Sequence, residues 1–225
     1  MKQPQRAQRN RYGVALGLYI WHADLVSEPM SNSARDLTKM EILRDILSAF
    51  RLAGVDVWLL GGWGIDGLLG HESREHKDVD LIARRDDRKR VREALRTVGE
   101  QIVEDTDVKL IFFRHGCRSD IIYFYKLPDG TLVSDLDADD PFVYPWPPGA
   151  FPREPNGYLL GMPCNAVTWE AQYVAKEGYT HYKKGCPLRQ KDRADLAVIR
   201  RHLGPGAEEE LKKYFPGVPR HAPEK

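Results

Sequence analysis

Apolar residues recur at helical spacing between positions 34 and 53, at Leu37, Met40, Leu43, Ile46, Leu47 and Phe50. This pattern predicts an amphipathic helix with Ser33 as its cap and Gly54 at its end. The period then changes. Residues 55–60 are nearly all apolar and predict a short buried strand, Gly61-Gly62 a turn, and residues 63–69 a short helix stopped by Gly70. Residues 71–77 read as a charged loop and residues 78–83 as a second strand. Asp86 or Asp87 caps a helix carrying Val91, Leu95 and Val98, closed by Gly99. Two strands are expected at 108–113 and 120–125 around His115-Gly116, then a turn at Pro128-Asp129-Gly130 and a short strand at 131–133.

Beyond that point the periodicity weakens. Residues 134–156 hold six prolines and several acids, which predicts a loop or linker. Residues 157–164 suit a hairpin over Gly161. Thr168 caps a helix through Trp169, Tyr173 and Val174 to Gly178, and residues 192–203 suit a last helix stopped by Gly204-Pro205. The expected class is α+β: a mixed sheet flanked by helices, with a small, mostly helical C-terminal part. The expected organisation is an N-terminal extension at 1–33, partly disordered, a core at 34–135, and a loop-rich then helical part at 136–225.

Composition narrows the classes. The 225 residues allow one large domain or two small ones, and a hydrophobic fraction of 42% supports a real core. With 34 Lys and Arg against 33 Asp and Glu, spread along the chain, there is no basic stripe to argue for nucleic acid. Cys117, Cys164 and Cys186 are widely spaced, form no CxxC pair and point to neither a zinc site nor a disulfide framework. No apolar run approaches the roughly 20 residues of a membrane span. No signal peptide is read, and a reducing, cytoplasmic setting is expected.

The densest chemistry lies between Gly61 and Asp80. Asp78 and Asp80 are two apart in a strand, so both carboxylates leave one face. Such a pair repels unless a cation lies between, and magnesium takes one or two carboxylates together with phosphate oxygens. Gly61 and Gly62 allow close backbone approach to phosphate, helped by the positive end of the following helix. Arg74 and His76 stand just ahead of the acids and suit phosphate contact, or ordinary loop ion pairing. Asp120 opens an apolar strand and is the candidate third carboxylate, as metal ligand, general base or both. Each signal alone has a plain structural reading: many turns contain Gly-Gly, and alternating acids commonly mark a solvated strand face. Their joint occurrence in a strand–turn–helix–strand context points to nucleotidyl transfer.

Gly61-Gly62-Trp63-Gly64-Ile65-Asp66, Leu68-Leu69-Gly70 and Arg74-x-His76-x-Asp78-Val79-Asp80 together resemble the signature of small antibiotic nucleotidyltransferases. The resemblance is to the lincosamide and aminoglycoside 2''-nucleotidyltransferases of the DNA polymerase β-like superfamily. Weaker matches follow at Asp120, Pro163-Cys164, Trp169-Glu170-Ala171-Gln172, Gly178-Tyr179, Asp192 and Asp195. The resemblance implies a polymerase β-like core and magnesium-dependent transfer of a nucleoside monophosphate from an NTP, with ATP the expected donor, to a hydroxyl. It implies metal ligation by Asp78, Asp80 and Asp120, and a triphosphate faced by Gly61, Gly62, Arg74 and His76. Glu170 is an acceptor-binding candidate, with a capping or surface role as its rival. The acceptor stays open: Asp135, Asp137, Asp139 and Asp140 suit a cationic aminoglycoside or a solvated loop. Phe142, Tyr144, Trp146 and Phe151 suit the cleft of a lincosamide. A small-molecule acceptor leads. A protein or RNA acceptor, or a non-catalytic nucleotide-binding module, is the alternative. A homodimer is compatible with the resemblance, and no membrane association is expected.

Overall fold

The computed structural model describes residues 38–182 and 187–220. The expected N-terminal extension, Ser33 and the start of the expected first helix lie outside the described residues. Helix α1 spans Lys39–Leu52. Its cap is Thr38, whose hydroxyl accepts the Glu41 N–H at 3.2 Å while the Glu41 carboxylate accepts the Thr38 N–H at 2.9 Å. This reciprocal pairing satisfies two donors that a helix start leaves open.

Strand β1 (Val57–Leu60) runs straight into helix α2 (Gly61–Leu69), so the expected glycine turn is already the first turn of that helix. Strand β2 (Asp78–Arg84), a 3-10 turn (Arg85–Asp87) and helix α3 (Arg88–Thr97) follow. Strands β3 (Gln101–Asp105), β4 (Lys109–Arg114), β5 (Cys117–Lys126), β6 (Leu132–Ser134) and β7 (Phe142–Pro145) come next. A hairpin of β8 (Gly157–Leu159) and β9 (Met162–Cys164) precedes helices α4 (Trp169–Glu177), α5 (Tyr179–Tyr182), α6 (Gln190–Arg200) and α7 (Ala207–Leu211). A 3-10 turn (Lys212–Tyr214) and the two-residue strand β10 (Val218–Pro219) end the described chain. The described residues form one compact unit.

The main sheet runs β1-β2-β5-β6-β7-β10, with β4 also on β5 and β3 on β4. It is mixed: β2 and β5 are parallel, and the other pairs are antiparallel. One face buries Val57, Leu59, Val79, Leu81, Ala83, Leu110, Phe112, Ile121 and Tyr123 with the apolar residues of α1 and α3. The other face buries Trp58, Leu60, Ile82 and Phe124 beneath Ala150, Val167 and Ala171. A third cluster, including Ile65, Tyr173, Val174, Leu196 and Ile199, joins α2 to the C-terminal helices.

Three expectations change. Strand β3 has no apolar face to announce it, being a polar strand at the free side of β4. Residues 134–156 are mostly loop, as expected, but they also supply β7 and the aromatic residues Trp146 and Phe151 to the second face. The polar tail contributes β10, which pairs with β7, and the Arg220 N–H donates to the Pro141 carbonyl at 2.8 Å.

Candidate active site

The strand period places Asp78 and Asp80 on the face opposite Val79 and Leu81, and the parallel pairing of β2 with β5 does the rest. Its register sets Asp80 directly across from Asp120 and Asp78 across from Arg118. Three carboxylates and one guanidinium thus share a face at the entry end of both strands. The Asp80 carboxyl is pushed up to about 7, first by burial, then by the charges of Asp78 and Asp120; Lys176 and Lys191 pull the other way. Neither the Asp78 nor the Asp80 carboxylate makes a hydrogen bond or ion pair with a described residue. Hard oxygen donors on one face, crowded by like charge and without a direct ion pair among the described residues, fit a divalent cation.

Asp120 is placed differently. Arg118 grips both of its oxygens, Nε to Oδ1 at 2.8 Å and Nη2 to Oδ2 at 3.0 Å. Among the described residues no group of three or more His, Cys, Asp or Glu side chains is gathered to hold a metal ion. Asp120 is turned to Arg118, whereas Asp78 and Asp80 stand without a hydrogen-bond partner among the described residues.

Both glycines stand where a side chain would not fit. Gly61 has φ 65°, and a Cβ there would stand 2.8 Å from Asp80 Oδ2, so only glycine lets the helix start against that carboxylate. Its N–H donates to Gln172 Oε1 at 3.1 Å and is not open to a ligand. A Cβ on Gly62 would stand 2.2 Å from His76 Nδ1. His76 fills that space, 2% exposed, with its ring against Trp63 at a centroid distance of 4.4 Å.

His76 and Arg74 are engaged by neighbouring side chains, His76 buried and Arg74 half-buried. Arg74 Nη1 lies 3.0 Å from His76 Nδ1, and His76 Nε2 lies 2.5 Å from Asp66 Oδ2. Since arginine only donates, Nδ1 accepts and the Nε2 proton goes to Asp66. Ser73 donates to the other Asp66 oxygen at 2.5 Å. The rest of the Arg74 fork holds Asp195 at 3.1 and 2.9 Å. Lys176 bridges Asp195 at 2.6 Å and Asp192 at 3.1 Å, and Arg189 closes on Asp192 at 2.6 Å. Burial would raise the Asp192 carboxyl, but Arg189 and Lys176 outweigh it and hold it at about 2. Asp195 is lowered too, Arg74 and Lys176 overcoming its burial. One chain of charges therefore runs from α2 through the 71–77 loop to α4 and α6.

The sequence reading gave no part to Arg118, Lys176 and Arg189, and named Gln172 only within the matched block 169–172. Asp192 and Asp195 carried a usable signal: they lie three apart, in line with Leu196 and Ile199 on the buried face of α6, where acids need partners. Glu170 stands half-buried in the first turn of α4, an electrostatically favourable place for an acid. Two of the four acids of the loop at 135–140 are engaged. Asp135 pairs with Arg85 and Arg220, and Asp140 accepts from the Phe142 N–H at 3.0 Å and the Tyr144 hydroxyl at 2.9 Å. Phe151 stacks on Phe124 at 4.0 Å and meets Trp58 and Trp146 edge-on, so these aromatics build core. No helix among the described residues is long and apolar enough to cross a membrane.

Known proteins resemble this chain in sequence and in fold. The family model described as aminoglycoside-2''-adenylyltransferase matches residues 42–199. A 2''-aminoglycoside nucleotidyltransferase of Escherichia coli is 26% identical over 141 residues, 60% of this chain and 71% of that protein. A lincosamide resistance protein of Staphylococcus haemolyticus is 39% identical over 57 residues, 25% of this chain and 35% of that protein. The fold matches the crystal structure of ANT(2'')-Ia in complex with adenylyl-2''-tobramycin with a TM-score of 0.66, at 22% identity, over 80% of this chain and 97% of that one. It matches the lincomycin-bound lincosamide antibiotic adenylyltransferase LnuA with a TM-score of 0.55, at 24% identity, over 74% and 98% of the two chains.

Proposed function

This chain belongs to the aminoglycoside-2''-adenylyltransferase family and is a nucleotidyltransferase, and we propose that it moves the nucleoside monophosphate of ATP to a hydroxyl of a small antibiotic-like acceptor, releasing pyrophosphate. The observation that carries this reading is the Asp80 carboxylate, set against Asp78 and Asp120 with no hydrogen bond or ion pair to a described residue and its carboxyl pushed up to about 7.

Asp78 and Asp80 are the residues that would hold magnesium. A bound ion there supplies charge neutralisation and alignment of phosphate oxygens for an in-line displacement. Asp120 lies across from Asp80 and takes the proton of the attacking hydroxyl. A carboxylate has about four lone-pair positions. The Arg118 fork uses one on each oxygen, which leaves others for the acceptor and fixes the carboxylate plane. Arg74 and His76 act from behind, keeping the loop ahead of Asp78 in place through Asp195 and Asp66.

The acceptor we assign is a hydroxylated antibiotic of the aminoglycoside or lincosamide kind, after the substrates named for the relatives. The test is pyrophosphate release from each NTP with magnesium, across a panel of both classes, beside Asp78→Ala and Asp80→Ala. Acceptor-dependent release that disappears in both variants is expected. Tight magnesium-dependent NTP binding without release on any small acceptor would point to a protein or RNA acceptor. No NTP binding would overturn the reading.

A further inference from the structure

We propose that Gln172 is a positioning residue for the nucleotide site: its side-chain carbonyl holds Gly61, and through Gly61 the Asp80 carboxylate, where metal-bound NTP is received. This rests on the nucleotidyl-transfer reading above.

Gln172 is fully buried at 0% exposure, in the middle of α4. A buried amide is costly unless its polar atoms are paired. Helix α2 needs what it offers. The first turn of any helix leaves N–H groups without acceptors, and the N-cap of α2 is Leu60, which makes no side-chain cap bond. Gln172 Oε1 supplies the acceptor from 111 residues away, at 3.1 Å from the Gly61 nitrogen. On its other side Gly61 abuts Asp80, since a Cβ there would stand 2.8 Å from Oδ2. Gly61 is therefore clamped between the Gln172 amide and the carboxylate.

The rest of the amide argues for position over stability. Gln172 Nε2 is buried with no hydrogen-bond partner among the described residues, and it packs where a Cβ on Gly64 would fall at 2.2 Å. A leucine would remove that orphaned donor while orphaning the Gly61 N–H instead, so the two effects on stability oppose each other. What leucine cannot do is hold Gly61 against Asp80. Lys176, one helical turn further along α4, anchors Asp195, which holds Arg74 and through it His76 beneath Gly62. Both glycines are thus set from one face of α4.

The experiment compares wild type, Gln172→Leu and Gln172→Glu, the last keeping an acceptor oxygen at the same reach. The dissociation constant of a non-hydrolysable ATP analogue is measured calorimetrically with magnesium, beside KM for ATP, KM for the acceptor and a thermal melt. Displacing the turn by a fraction of an ångström should weaken analogue binding about tenfold in Gln172→Leu, with the acceptor KM and the melt little changed. Gln172→Glu should stay within about threefold of wild type. Wild-type analogue affinity in Gln172→Leu would overturn the proposal. If Gln172→Leu does not fold, Gln172→Glu decides: near-wild-type binding supports the proposal and a tenfold loss overturns it. If wild type itself binds no NTP analogue, the nucleotidyl-transfer reading falls first, a different result from intact binding in both wild type and Gln172→Leu.

Discussion

Arg118 and Asp120 stand two residues apart on one face of β5 and meet in a two-point ion pair, at 2.8 and 3.0 Å. The Arg118 side chain is 37% exposed, so the pair adds little to stability. Its effect is on orientation. With the fork in place the carboxylate plane is fixed; without it the side chain is free to rotate toward Asp80. Arg118→Leu should lower kcat by about tenfold and move the unfolding free energy by less than about 1 kcal/mol. Steady-state kinetics and a urea melt on the same variant check this. An unchanged kcat would reduce the pair to surface charge pairing.

Asp80 makes stability depend on pH in a defined direction. Its carboxyl is raised from 3.8 to about 7 by burial and by Asp78 and Asp120. Below about pH 4 it is protonated in folded and unfolded chains alike. From there to about 7 the unfolded chain loses the proton and the folded chain keeps it, so stability falls as pH rises and levels off above 7. Asp80→Asn removes this penalty. In chelator-treated protein, Asp80→Asn should gain on wild type by on the order of 2–4 kcal/mol between about pH 5 and about pH 8. Glu100, also raised to about 7 by burial, is common to both proteins and drops out of the difference. Urea midpoints at the two pH values give the answer, and parallel curves would show that Asp80 ionises normally.

His76 is expected to matter for folding before chemistry. Both ring nitrogens are engaged, and Asp66, itself 0% exposed, depends on His76 and Ser73 for its two oxygens. His76→Ala leaves a cavity beside Trp63 and a buried carboxylate short of a donor. The cost should be about 3 kcal/mol, read as a shifted denaturation midpoint. A loss of activity with an unmoved midpoint would instead give His76 a direct part at the nucleotide.

Phe151 separates a structural from an acceptor-lining role for the proline-rich segment. It stacks on Phe124 at 4.0 Å and touches Trp58 and Trp146. Phe151→Ala should destabilise the protein by about 3 kcal/mol and leave the acceptor KM near wild type. A raised acceptor KM in a protein of normal stability would return Phe151 to the acceptor cleft.

Local pattern decided much of this protein. Helical and strand periods are set by neighbours a few residues apart, so α1, β1, β2, α4 and the β8–β9 hairpin could be read directly, as could the shared face of Asp78 and Asp80. Boundaries shifted where a cap went unnoticed, as with Thr38 and Glu41 at α1. The strands β3 and β7 escaped because each takes its identity from a partner strand rather than from an apolar face of its own.

The working arrangement of the site was decided only by tertiary contact. Nothing local says that β2 and β5 lie parallel with Asp80 across from Asp120, or that Arg118 takes both oxygens of Asp120. Gln172 reaches Gly61 over 111 residues and Arg74 reaches Asp195 over 121. A glutamine or a lysine in a helix reads as solvated surface until a facing element removes the water, and desolvation is what then obliges each polar atom to find a partner. The chain's own order therefore determined which residues carry the chemistry, and the packing of α4 and α6 on α2 determined which of them remain free to use it.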